Sequence, residues 1–181
     1  MTKKPASPNQ PCLFDPPADS LPPSKFISTY RVSLVRDRSV PFEQCRLINS
    51  QQALPIIRAL IEAHGQSDRE QFCVILLNTK NEVVGLNIVA TGTISSAQVS
   101  PREVFKPAIL ANSAAMILCH NHPSGDVYPS AEDQALTEML VRAAAVIGIE
   151  IHEHLIVSME DDRYYSFADH GLIKKIYDAV G

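Results

Sequence analysis

Apolar and polar residues alternate over residues 25–37, KFISTYRVSLVRD, and a period of two predicts a β-strand there. From Asn49 or Ser50 the period changes. Leu54, Ile57, Leu60 and Ile61 recur at helical spacing, and either polar residue is placed to cap a helix that runs to about Ala63. Glu70 introduces the run QFCVILLNT, and a polar turn at Asn78, Lys80 and Asn81 leads into VVGLNIVATGTI, a pairing that predicts an antiparallel hairpin in the core. Ser100, Pro101 and Glu103 read as a helix start: a capping serine, a proline at the first helical position and an acid in the first turn. Phe105, Ile109 and Leu110 are expected to face the core from that helix. AAMILC, ending at Cys119, predicts a short buried strand. A second capped helix is expected from Ser130 to about Val146, with Leu136, Leu140, Val141 and Ala144 inward and Gly148 as its stop. EIHEHLIVS predicts a further strand, Asp161 and Asp162 a turn, YYSF an edge strand, and residues 172–180 a closing helix. The irregular alternation places the chain in the α/β class, as a mixed sheet flanked by helices.

Repeated prolines with little that could pack make residues 1–24 an expected disordered tail. Residues 25–181 are then one domain, with its core from about residue 50, and an apolar content of 45% is enough to build that core. The net charge of −4 comes from acid in the second half, which argues against a broad nucleic-acid face and leaves only a local patch in the amino-terminal part open. The start is polar, no apolar run is long enough for a bilayer, and Cys12, Cys45, Cys73 and Cys119 form no CxxC pair. A cytoplasmic protein without a membrane partner is expected. Oligomeric state stays open, a homodimer included.

The chemistry is concentrated in CHNHPSGDVYPSAED, which begins at Cys119 and ends at Asp133. On an extended backbone His120 and His122 project to the same side. Pro123 and Gly125 turn the chain, and the helix opened by Ser130 returns Asp133 toward the histidines. Two imidazoles and a carboxylate fill three positions of a tetrahedral zinc site and leave the fourth for water, the mark of a catalytic ion. Hydrogen bonding between loop histidines is the plainer reading of the pair, and a capping box that of Ser130 with Asp133; a cap also fixes the start of the helix that would deliver the ligand. Ser130 is a candidate to orient the water or to donate to an oxyanion. The base is expected to be Glu70, at the start of the hairpin, with Glu103 as competitor. Cys119, one residue from His120, is expected to be buried on the other face. His152 and His154 are expected to share a face of their strand, in a core or supporting role.

These residues resemble the JAB/MPN metalloprotease superfamily, whose signature is an upstream glutamate and HxHP, six residues, a serine, two residues and an aspartate. PREVFKPAI, HNHPSGD, HLIVS and YYSFADHG are similar to its RadC-type branch, often labelled as DNA repair proteins. The resemblance covers about residue 50 to the end. It implies a mixed α/β fold related to cytidine deaminase, zinc held by His120, His122 and Asp133, Glu70 as the general base and Ser130 assisting at the oxyanion. The implied reaction is hydrolysis of a peptide or isopeptide bond in a peptide or protein substrate. Members of the branch commonly carry a helix-hairpin-helix region ahead of this part. The residues before Ser50 show no such pattern, as in short forms often met on phage, plasmids or other mobile elements.

A nucleobase deaminase would need HxE and a downstream PCxxC; here His122 stands where that glutamate would be, and the cysteine pair is absent. The remaining alternatives are a DNA-associated or mobile-element accessory protein and a non-enzymatic binding module on the same fold.

Overall fold

A computed structural model describes residues 29–37, 39–40, 46–64, 68–92 and 99–180. The expected tail over residues 1–24 lies outside them. The chain divides into two units, Met1–Val32 and Ser33–Gly181. In the first, residues 29–32 form no strand. The second holds α1 (Ser50–His64), β1 (Gln71–Leu77), β2 (Val83–Thr91), α2 (Pro101–Leu110), β3 (Ala115–Asn121), α3 (Ala131–Ile147), β4 (Glu150–Val157), β5 (Tyr164–Ser166) and α4 (Leu172–Val180).

The strand expected over residues 25–37 is not formed by residues 29–37, and residues 25–28 lie outside the description. A period of two yields a strand only where a neighbouring edge pairs with it and one face is buried. Here Leu34 and Val35 are exposed and no strand pairing is made.

Five strands form one mixed sheet in the order β2-β1-β3-β4-β5. The β1–β2 hairpin is antiparallel as its turn chemistry predicts, with β1 buried along its whole length and β2 half-exposed at the edge. β1 also pairs antiparallel with β3, while β3 and β4 run parallel through the α3 crossover. Strands buried on both faces need a helical layer on each side. On one side α1 places Ile57, Leu60 and Ile61 against Cys73, Ile75, Ile117 and Cys119. On the other, α2, α3 and α4 place Phe105, Leu140 and Ile176 against Phe72, Val74, Met116 and Leu118. Alternation therefore sends even-numbered residues of β1 and β3 toward α3, the side from which the chemistry is built. Cys119 is buried on the α1 side, as expected.

The caps differ in detail from the pattern. Asn49 rather than Ser50 caps α1, its Oδ1 accepting from the Gln52 amide at 3.0 Å. Ser100 makes no side-chain cap on α2, because the Glu103 amide donates instead to the Ser100 carbonyl at 3.0 Å. α3 has both ends as read: a capping box at Ser130 and a left-handed Gly148 with φ of 77°.

Candidate metal centre

Antiparallel pairing brings the start of β1 to the end of β3, with Phe72 opposite His120. Glu70, two residues before Phe72, thereby reaches a histidine fifty positions further along the chain. β3 then leaves the sheet through His122 into a turn in which the Gly125 amide donates to the His122 carbonyl at 3.0 Å. Gly125 has φ of 73°, a left-handed conformation that glycine adopts without a Cβ penalty. Arg163, paired with Asp161 at 2.8 Å, donates to the Gly125 carbonyl at 3.2 Å and holds the loop from outside. The first turn of α3 brings Asp133 back over the strand end.

One ligand atom from each of Glu70, His120, His122 and Asp133 can be chosen so that all four lie within 4.8 Å of one another. The two Nε2 atoms of His120 and His122 stand 3.1 Å apart. Asp133 Oδ1 is 3.2 Å from His120 Nε2, and Oδ2 is 3.6 Å from His122 Nε2. Two donors bound at about 2.0–2.1 Å with a tetrahedral angle between them are separated by about 3.3 Å. The His120–His122 and His120–Asp133 separations are close to that value, and the cluster can hold a metal ion.

Hydrogen bonding supports that fit. His122 Nδ1 donates to the Asp126 carbonyl at 2.8 Å, which leaves Nε2 with a lone pair in the neutral ring. His120 Nδ1 meets His154 Nε2 at 3.0 Å and is engaged on the side away from the cluster. Asp133 Oδ2 accepts from the Ser130 amide at 2.8 Å and from the Ser130 hydroxyl at 2.6 Å, so the carboxylate is oriented by the cap. Burial works against the charge of Asp133, but its contacts with His120 and His122, with the Ser130 hydroxyl, hold its carboxyl far below the usual range. The same contact works in reverse on His122. Its bond to Asp133 lifts its pKa against the effect of burial, helped by the Asp126 carbonyl and the charges of Asp133 and Glu70. In both cases the site stabilises positive charge beside a carboxylate.

The competitor Glu103 is not in this cluster; it is exposed on α2 and pairs with Lys106 at 2.6 Å. Ser130 lies at the rim, where its hydroxyl proton is taken by Asp133. His152 and His154 do not share a face. A bulge between Met116 and Ile117 leaves His152 as an extra residue opposite β3, half-exposed and 3.5 Å from Glu150, while His154 is buried beside His120.

Two supporting residues were not singled out by the sequence reading. Thr137 is four residues after Asp133, hence on the same helix face, and that spacing was the available signal. Asn121 is fully buried between the two histidines and brackets Glu70: its Oδ1 accepts from the Gln71 amide and its Nδ2 donates to the Arg69 carbonyl, each at 3.0 Å. Nothing in its local pattern revealed those partners.

The sequence model of the RadC-like JAB domain matches residues 48–172. A UPF0758 protein of Rubrobacter xylanophilus is 51% identical over 106 residues, covering 59% of this chain and 45% of that protein. The UPF0758 protein YeeS of Escherichia coli is 45% identical over 106 residues, covering 59% of this chain and 70% of that one. A UPF0758 protein of Desulfitobacterium hafniense is 43% identical over 127 residues, 70% of this chain and 54% of its own. The chain spans about half the length of most of these relatives.

Proposed function

The chain belongs to the RadC-like JAB domain family, and from that premise we propose that it is a zinc-dependent hydrolase of amide bonds, a peptidase or isopeptidase. The observation that carries the reading is the convergence of Glu70, His120, His122 and Asp133 at donor–donor spacing suited to one cation. His120 Nε2, His122 Nε2 and an Asp133 oxygen would hold the ion. When bound, such an ion lowers the pKa of a coordinated water to about 7 and polarises a carbonyl oxygen.

Glu70 acts as the general base. Its carboxylate takes one proton as the water oxygen bonds to the carbonyl carbon, and gives that proton to the amine nitrogen as the C–N bond breaks. Ser130 turns its hydroxyl from Asp133 Oδ2 to the developing oxyanion, a contribution of about 2.7–4 kcal/mol where such donors have been removed in other enzymes. The amino-terminal end of α3 adds its partial positive charge on the same side. A peptide or protein is the substrate in this reading. Among the described residues no helix is long and apolar enough to cross a membrane. With Cys73 and Cys119 both free and buried, a reducing cytoplasm suits the protein.

Metal content of protein purified without chelator tests the first half of the proposal. About one zinc per chain is expected, lost in His122→Ala and Asp133→Ala. A peptidase and isopeptidase screen tests the second half, with Glu70→Gln expected to keep zinc and lose turnover. A parent that takes up no zinc when offered it overturns the reading.

A further inference from the structure

His154 belongs to β4 and Thr137 to α3, and neither is in the cluster that can hold an ion. They nevertheless join two members of that cluster by a route through the protein interior. His120 Nδ1 lies 3.0 Å from His154 Nε2, His154 Nδ1 lies 2.7 Å from Thr137 Oγ1, and Thr137 Oγ1 lies 2.6 Å from the backbone carbonyl of Asp133. His120, His154 and Thr137 are each fully buried.

The polarity of this chain is fixed from its far end. A carbonyl oxygen can only accept, so the single hydroxyl proton of Thr137 goes to Asp133. The reverse assignment would leave two oxygens 2.6 Å apart with no proton between them. Thr137 Oγ1 must then accept from His154, whose Nδ1 carries the proton. A second proton on this imidazole would place a charge at a site without solvent, so Nε2 keeps its lone pair. His120 Nδ1 must therefore be the donor to it, and the lone pair of His120 is left on Nε2, the atom that faces Asp133 Oδ1 and His122 Nε2.

The rings are also held in place. His154 stacks on Phe167 with centroids 4.8 Å apart and planes 13° from parallel, and His120 stacks on Phe72 at 6.0 Å and 14°. His122 reaches the same tautomer by a local bond to the Asp126 carbonyl, four residues away. His120 sits inside the sheet, and among the described residues its Nδ1 meets His154 instead of a loop carbonyl.

We propose that His154 and Thr137 are positioning residues: starting from the backbone carbonyl of Asp133, they fix His120 as the Nδ1–H tautomer and aim its Nε2 lone pair at the cation. The strand that supplies one ligand and the helix that supplies another are thereby tied through β4. The proposal deepens the zinc reading and rests on it for the role of the ion, but the proton order belongs to the protein alone.

Two measurements on the full chain test it. Long-range proton–nitrogen correlation NMR of the ion-free parent at mildly alkaline pH should show His120 and His154 both protonated on Nδ1 and bare on Nε2. A proton on Nε2 of either ring overturns the proposal, and this readout stands whether or not zinc binds. Zinc titration against a competing chelator should show His154→Leu and Thr137→Val weakened by about 10–100-fold. His154→Gln, whose amide can accept from His120 and donate to Thr137, and Thr137→Ser should stay within a few-fold of the parent. A merely space-filling role predicts the opposite order for His154, with Leu tolerated at least as well as Gln, and that result would overturn the assignment. Should the parent take up no zinc, the ion's role falls while the NMR result still decides the relay.

Discussion

Asn121 stands between His120 and His122 in sequence but does different work. Its amide bonds the backbone on both sides of Glu70, so the residue between two ligands also sets the strand start that carries the proposed base. In Asn121→Leu the Gln71 amide and the Arg69 carbonyl each lose a buried partner, at about 1–3 kcal/mol apiece. Urea denaturation should show a loss of about 2–4 kcal/mol. Zinc affinity should hardly change, because the ligand imidazoles keep their own supports. A stability loss under about 1 kcal/mol would mean that the bracket is idle. His122 gives a second prediction at this scale. Asp133 raises its folded pKa above the ordinary value near 6.5. A proton held more tightly by the folded state stabilises that state fully below about pH 6.5, and the contribution is lost as pH rises through the raised pKa. Proton NMR of the ion-free protein should therefore place the His122 midpoint above 6.5, and Asp133→Asn should bring it back down. Zinc must displace that proton, so loading should weaken as pH falls through the same midpoint.

Helix α3 shows how one device serves stability and chemistry together. The Ser130 hydroxyl accepts from the Asp133 amide at 3.1 Å, and the Asp133 carboxylate closes the box onto Ser130. Ser130→Ala should cost about 1 kcal/mol as a lost cap and also weaken zinc binding, since Oδ2 loses its hydroxyl donor. At the other end, Gly148→Ala should cost about 1 kcal/mol because of the left-handed backbone, with zinc affinity unchanged. Equal effects of the two substitutions on zinc binding would show that helix stability alone is being read. The caps at Ser130 and Gly148 were legible because they are local, and so was the approach of His120, His122 and Asp133, which lies within fourteen residues of chain. Of the partners set by tertiary register, Glu70 was expected as a base from its place at the start of the hairpin, while those of Asn121 and His154 were not legible. The extra residue at His152 shifts the face of everything after it, so a period-two reading of HEH pairs the wrong two histidines. The alternation over residues 29–37 misled for a related reason: a strand needs a neighbour, and the pattern does not say whether one is present.

Across the molecule the two helical layers are separated by a sheet, and Glu153 joins parts that the apolar cores do not. Its Oε2 accepts from Ser50 on α1 at 2.5 Å and from Ser166 on β5 at 2.6 Å. Its Oε1 accepts from the amides of Ala168 at 3.0 Å and His154 at 2.8 Å. One buried carboxylate thus ties the start of α1, the strand of His154 and the residues leading to α4. Two effects compete in Glu153→Leu. Apolar replacement spares the desolvation of a carboxylate, yet it strands four donors, of which only the two serine hydroxyls can turn to find other acceptors. The two backbone amides cannot turn. The unsatisfied amides should win, giving a loss of about 3 kcal/mol in urea denaturation, with faster hydrogen exchange of β4 amides. Glu153→Gln should lose about 1 kcal/mol, because its oxygen can keep the amides while Ser50 and Ser166 reverse to accept from its NH2 group. Zinc affinity should follow the same order, Leu weaker than Gln, because the His154 backbone is what the carboxylate holds. A leucine variant as stable as the parent would mean that water or a shifted loop satisfies those amides, and that the tie between the α1 layer and the metal centre is not made through Glu153.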